Sequence, residues 1–205
     1  MTVTAVALSC TLKASPAASS TDLLCQQILD ALAEHDVEGT LIRVVDHDVR
    51  PGVSSDEGDG DAWPAIRQEV LDADILVLGT PIWMGQPSSV CKRVLERMDA
   101  FLGETDDGGR LISMDTVAVV ATVGNEDGAH AVAAATYQAL SDVGFTIPPN
   151  GQAYWVGEAM GSVDYKDLDE PPEKVVETIT DVARNAAHLA RLLQANPYPP
   201  KEDGS

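Results

Sequence analysis

Three short stretches of this chain carry residue types that could do chemistry together. The first, "SCTLKASPAASSTDLL" (9–24), holds hydroxyls at Ser9, Thr11, Ser15, Ser19, Ser20 and Thr21, one cation, Lys13, and then opens a helix. Helix N-termini present unpaired N–H groups and a partial positive charge, and hydroxyls add neutral donors, so a phosphate suits this loop. The loop has no glycine, which excludes a Walker loop and a dinucleotide fingerprint. A Ser/Thr-rich turn that only caps its own helix is the plainer alternative, but six hydroxyls exceed what capping requires.

The second stretch is "TPIWMGQPSS" (80–89). Pro81 fixes the exit from a strand. Ile82, Trp83 and Met84 offer a flat, polarisable surface, and Gly85 permits close backbone approach. A planar aromatic ligand would bury that surface; otherwise Trp83 packs into the core or a subunit interface. Gln86 to Ser89 then begin a helix on which Lys92, Arg93 and Arg97 cluster, as a solvated face or as a site for a phosphorylated second substrate. In the third stretch, "TVGNEDGAHAV" (122–132), Gly124 and Asn125 suit a turn with positive φ, and Asp127 or Gly128 starts the next helix. The loop's backbone N–H and C=O groups suit the polar edge of a heterocycle. His130, on the next helical turn, is a surface residue or a group that stabilises an anionic ring or a quinone oxygen.

The elements that must position these loops alternate along the chain. Short runs rich in Val, Ile, Leu and Ala predict strands at 3–9, 40–46, 74–80, 115–123 and 152–158. Between them, apolar residues at helical spacing predict helices from Thr21, from a cap at Asp61 to Asp72, behind Ser89, over 128–143, and from "DEPPEK" to about Ala195. Poorly alternating strands are those covered on both faces. The chain is therefore expected to be one doubly wound α/β domain over 1–195, a five-stranded parallel sheet with helices on both faces, followed by a flexible tail, 196–205.

Composition removes several classes of function. The 205 residues carry a net charge of −20, which argues against nucleic acid and anionic membrane surfaces. No apolar run approaches the roughly 18 residues of a membrane span, so no membrane insertion is expected. The N-terminus reads as a first strand rather than a signal peptide, making the cytoplasm the expected location. Cys10, Cys25 and Cys91 are too widely spaced for a disulfide scaffold, a zinc site or an iron–sulfur cluster. No metal is expected. "SDEGDGD" (55–61) does not fit a calcium loop, because Arg67 stands where the bidentate Glu belongs. "YWVGEAMGSVDY" (154–165) is expected to border the site, with Tyr154 and Trp155 in the core or an interface. "DYKDLDEPPE" (164–173) is expected to be an exposed approach to the last helix.

One planar ligand with a phosphate tail accounts for all three loops, which is the physical argument for flavin mononucleotide (FMN). In "LSCTLKASPAASSTDLL", "ADILVLGTPIWMGQPSSVCKRVLERMD" and "VATVGNEDGAHAV" the chain resembles the flavodoxin-like NADPH-dependent FMN reductases and related NAD(P)H:quinone reductases. The resemblance implies that Ser9, Thr11, Lys13, Ser15, Ser19, Ser20 and Thr21 hold the phosphate. It places Pro81, Ile82, Trp83, Met84 and Gly85 along the isoalloxazine, and Thr122, Val123, Gly124, Asn125, Gly128 and Ala129 at its other edge. It further implies NADH or NADPH as reductant, a quinone or flavin as acceptor, no dedicated acid or base, and a homodimer or homotetramer. A flavodoxin-type electron carrier without NAD(P)H activity is the alternative, and the acidity of the chain favours it.

Overall fold

The computed structural model describes residues 2–201. Strands β1 (Val3–Ser9), β2 (Val37–Arg43), β3 (Ile75–Trp83), β5 (Val117–Gly124) and β6 (Gln152–Val156) form a parallel sheet in the order β2-β1-β3-β5-β6. A two-residue strand, β4 (Gln86–Pro87), pairs antiparallel with the end of β3. Helices α1 (Ser20–Ala33), α2 (Trp63–Asp72), α3 (Ser89–Met98), α4 (Ala129–Asp142) and α5 (Glu173–Ala195) cover both faces.

Alternation inside the buried strands explains their unbroken apolar sequence. Ala5, Ala7 and Val77 face one core, built with α1 and α5; Val6, Leu8, Leu76 and Leu78 face the other, built with Trp63 of α2, Val94 and Met98 of α3 and Leu140 of α4. Each face is dry, so both parities of the strand must be apolar.

Strand order reverses between β1 and β3, the position at which open α/β sheets bind ligands. Register aligns the carboxyl ends there: Ser9 stands beside Gly79, Thr80 beside Thr122, and Gly124 beside Val156. Four loops therefore leave at one rim, those after β1, β3, β5 and β6.

Three local expectations are corrected. The second strand occupies 37–43 rather than 40–46, ending where β1 ends, and Val44–Asp46 becomes a 3₁₀ turn. The third strand runs on through Pro81 to Trp83. Met84 and Gly85 both take positive φ, 52° and 69°, and make the hairpin turn that brings Gln86 back against Trp83. Helix α3 consequently starts at Ser89, capped by the Ser88 hydroxyl, which accepts from the Cys91 N–H at 3.1 Å and donates to the Cys10 carbonyl at 2.7 Å.

The cluster Lys92, Arg93 and Arg97 divides: Lys92 and Arg93 are exposed on the solvated face of α3, whereas Arg97 turns into the fold. Arg97 is fully buried and paired with the equally buried Asp61, Nη2 to Oδ2 2.7 Å, an ion pair rather than a well-aligned hydrogen bond. Its guanidinium also donates to the Ser54 and Arg50 carbonyls, both at 3.0 Å, and lies over the Trp63 ring. Arg93 donates to the Val49 carbonyl, and Lys92 pairs with Glu96. The acidic loop 48–61 thus closes on α3. Asp61, expected as the cap of α2, does accept from the Trp63 N–H at 3.1 Å, but it also binds the Arg50 and Glu57 N–H groups.

Beyond α5, Tyr198 and Lys201 run beside the 106–115 loop, with the Tyr198 N–H on Asp115 and the Lys201 N–H on the Gly108 carbonyl. Residues 202–205 of the tail lie outside the described residues. Among the described residues no helix is long and apolar enough to cross a membrane.

Candidate functional site

The four rim loops enclose an open cavity of about 340 Å³. Thr11, Lys13, Ser19, Ser20 and Thr21 line it from the first loop; Pro81, Ile82 and Trp83 from the second; Val123, Gly124 and Asn125 from the third. Leu12, Glu126, Trp155, Met160, Gly161, Asp164 and Tyr165 also line it. Of these, the sequence points only to the segment 154–165 as a border, and it puts Trp155 in the core or an interface.

The first loop is held in shape by residues that never reach the cavity. Arg43, at the end of β2, donates from Nη1 to the carbonyls of Lys13 and Ala17 and from Nε to Asp22 at 2.7 Å. Ser9 is fully buried and donates to the same Asp22. Ser15 bonds Asp46 through both its hydroxyl and its N–H, which draws the Asp46 carboxyl below its ordinary range. Ser9 and Ser15 therefore brace the loop rather than line the cavity.

Of the four remaining hydroxyls, Thr21 is buried, and the other three have a common arrangement. Thr11 Oγ1 accepts from the Lys13 N–H at 3.2 Å, Ser19 Oγ from the Asp22 N–H at 3.3 Å, and Ser20 Oγ from the Lys166 N–H at 3.3 Å. Each hydroxyl has used an acceptor site on a backbone N–H, and among the described residues none donates its own proton. Three O–H donors thus remain at the N-terminus of α1, where the Ser20 and Thr21 N–H groups also lack helical partners. This end of the cavity presents hydrogen-bond donors at the positive end of a helix dipole, chemistry that suits an anion.

The opposite end is apolar. Trp83, 54% exposed, stands on the last residue of β3 with Pro81 and Ile82 below it. Met84 does not join them: it sits on the hairpin tip, 88% exposed, and Gly85 beside it points its N–H at Glu126 Oε1, 3.4 Å away. Gly128 has φ 113°, and a Cβ there would come within 2.9 Å of Gly85 Cα, so only glycine lets the two loops touch.

Thr122 faces the last strand, accepting from Gln152 Nε2 at 3.0 Å. Ala129, the first residue of α4, is buried with Ile82 and Val132. Gly128, Ala129 and Thr122 hence shape the wall from behind. His130 packs edge-on against Tyr154, 5.1 Å between ring centres, in a separate shallow groove with Tyr137 and Gln152. It does not reach the rim cavity.

A fourth wall comes from the loop after β6. Trp155 and Tyr165 pack at 5.5 Å between ring centres, and the Tyr165 hydroxyl donates to Gln27 of α1. Asn125 donates from Nδ2 to the Gly161 carbonyl and to Asp164 Oδ1, both at 3.2 Å, while its Oδ1 is buried without a partner. Residues 164–165, expected on an exposed approach, line the cavity because Tyr165 is pinned beneath Trp155. The aromatic pattern "YW…Y" is the only sequence signal that could have revealed this. Leu12, Met160 and Val163 leave further apolar surface exposed around the mouth.

The sequence profile of the NADPH-dependent FMN reductase family matches residues 4–160. The chain belongs to this family. It is 31% identical over 210 residues to the 8-demethyl-8-aminoriboflavin-5'-phosphate synthase of Streptomyces davaonensis, spanning 97% of this chain and 81% of that one. It is 37% identical over 198 residues to the divalent metal cation transporter MntH of Mycobacterium bovis, but although 93% of this chain aligns, it spans only 29% of that protein's length. Among solved structures, RosB with bound 8-demethyl-8-formylriboflavin-5'-phosphate superposes with a TM-score of 0.85 at 31% identity, over 96% of this chain and 82% of that one. An NADH:FMN oxidoreductase, EMOB, shares the fold at TM-score 0.66 and 20% identity, over 97% and 94% of the two chains. The chain thus has the flavodoxin-like fold of the FMN reductase family.

Proposed function

We propose that the rim cavity binds FMN and that the chain is an NAD(P)H-dependent oxidoreductase serving a small acceptor such as a quinone or flavin. The observation that carries this reading is the pairing of three hydroxyls with uncommitted protons at a helix N-terminus with an apolar wall across the same cavity. The residues fit the group: Thr11, Ser19, Ser20 and Lys13 would take the phosphate, Pro81, Ile82 and Trp83 one face of the ring, and the 123–125 backbone with Asn125 its polar edge. FMN, when bound, supplies the two-electron redox chemistry. The chain's own contribution is to bind, orient and shield. Trp83 and Trp155 limit water at the ring, and the tightly braced first loop holds the donors in place without reorganisation. No side chain in the cavity is required as a dedicated acid or base. Pairing of subunits across the apolar mouth belongs to the same proposal.

Anaerobic addition of NADPH or NADH to the FMN-loaded chain should bleach the visible flavin band within seconds, and a quinone should restore it. A band that survives both nicotinamides would leave an electron carrier instead.

A second reading has its own support in the 31% identity to a synthase that makes a modified riboflavin phosphate. There the flavin nucleotide occupies the same cavity as a substrate to be altered. Mass spectrometry of the flavin recovered after turnover separates the two: an unchanged mass supports the oxidoreductase, a changed one the flavin-modifying reading.

A further inference from the structure

Asp164 stands where an anion-binding cavity would not need a carboxylate. Its Oδ2 lies 3.7 Å from Lys13 Nζ and 3.4 Å from Lys166 Nζ, and its Oδ1 accepts from Asn125. Lys166 is also held by Asp167 at 2.6 Å, and its backbone N–H caps the Ser20 hydroxyl. The cavity lining therefore holds one carboxylate, Asp164 of the loop after β6, opposite the Lys13 ammonium of the first loop, and Lys166 with Asp167 extends the charge network behind it. Asp167 and Asp164 both raise the Lys166 pKa, in keeping with shared rather than free positive charge.

Resting on the FMN reading above, we infer that Asp164 is a specificity-determining residue that competes with the ligand's phosphate for Lys13. A dianion seated on the Thr11, Ser19 and Ser20 hydroxyls meets a lining pair of zero net charge, Lys13 against Asp164. The Lys13–Asp164 pair is half exposed on both sides, so it is weak and exchangeable. Binding of a phosphorylated flavin draws Lys13 off Asp164, whereas riboflavin, which lacks the phosphate, leaves the pair intact. The chain thereby sets its preference for the phosphate ester by a carboxylate that opposes it, and it ties that preference to the loop carrying Tyr165 and Gly161.

The test is a fluorescence titration of the chain with FMN and with riboflavin, for wild type, Asp164→Asn and Lys13→Gln. In Asp164→Asn the new side-chain carbonyl can still accept from Asn125, so the loop keeps its anchor while the charge is lost. Asp164→Asn should tighten FMN binding several-fold to about tenfold and leave riboflavin unchanged, since one unit charge near a dianion in a half-exposed site carries an effect of that order. Lys13→Gln should weaken FMN and spare riboflavin. In the double variant, the Asp164→Asn gain should shrink because Lys13 is no longer there to be released. An FMN-to-riboflavin ratio unmoved or lowered by Asp164→Asn overturns the inference, as does an equal change in both ligands, which would mean a purely structural role. If wild type binds neither flavin, the FMN reading itself fails, a result distinct from either.

Discussion

Two acidic loops of this molecule behave in opposite ways. The 48–61 loop, with its run of aspartates and glycines, closes on helix α3 through the fully buried Arg97–Asp61 pair and the carbonyls of Arg50 and Ser54. The loop after β6 also carries acids, but its charges are half exposed, and Met160 and Val163 stand in solvent beside an open cavity. The 48–61 loop locks its central charges into the fold and is shut. The cavity that the other borders leaves the Thr11, Ser19 and Ser20 hydroxyl protons and the Asn125 oxygen without partners and the Trp83 face exposed. Buried polar groups without partners cost stability; the closed region carries Trp63 Nε1 and Arg97 Nη2 beside its ion pair, whereas the Asn125 oxygen belongs to a residue lining a cavity that a ligand can reach. The contrast separates the part of the chain that holds the fold from the part that uses it.

The sharpest way to break this contrast is Arg97→Met. It strands Asp61 in a dry site and should destabilise the chain by about 3–5 kcal/mol in urea unfolding. Flavin affinity of the folded fraction should stay near wild type. A loss under about 1 kcal/mol would mean the closed loop contributes little to stability.

Acid comes next. Burial opposes ionisation of Asp61, but Arg97 and the Glu57, Trp63 and Arg50 N–H groups outweigh it and hold the carboxyl well below its ordinary range. A depressed folded value means that this stabilisation is fully present above the unfolded value of about 3.9 and drains away as pH falls below it. Wild type should therefore lose on the order of 2 kcal/mol from this group between about pH 5 and pH 2. The Asp61→Asn/Arg97→Met double variant should lack that share of the slope, and equal slopes would remove Asp61 from the account.

On the open side, Trp83→Ala should leave the ligand-free chain within about 0.5 kcal/mol of wild type, because half of this side chain already faces water. FMN affinity should fall roughly tenfold or more with the loss of stacking surface. A destabilised chain with normal flavin binding would place Trp83 with the closed region instead. The smallest effects belong to Thr11→Ala and Ser20→Ala, each expected to weaken FMN by about fivefold to tenfold and to spare riboflavin. Equal losses for both ligands would move the phosphate away from these hydroxyls.

Much of the fold is legible because doubly wound sheets write both their cores into each strand: Val6 and Leu8 on one side, Ala5 and Ala7 on the other. Strand ends are less so. The hairpin at Met84–Gly85 depends on two positive φ angles, and methionine gives no hint of the first. Within the site, the Ser/Thr-rich loop is readable as an anion cradle, yet its division of labour is not. Ser9 and Ser15 carry the same chemistry as Ser19 and Ser20, and only Asp22 and Asp46, on other elements, show which hydroxyls are already engaged. Arg97 misleads for the same reason. A basic residue on a helix stripe reads as solvated until a loop from earlier in the chain brings Asp61 to meet it. Asp164 and Tyr165 are hidden inside a polar run that looks like an exposed approach, because their partners, Lys13, Asn125 and Gln27, lie on other elements.

The account turns on where a flavin nucleotide sits. A crystal of the chain soaked with FMN should show the phosphate against the Thr11, Ser19 and Ser20 hydroxyls and the ring beside Trp83. An empty rim under saturating FMN, or a flavin seated elsewhere on the molecule, would contradict it.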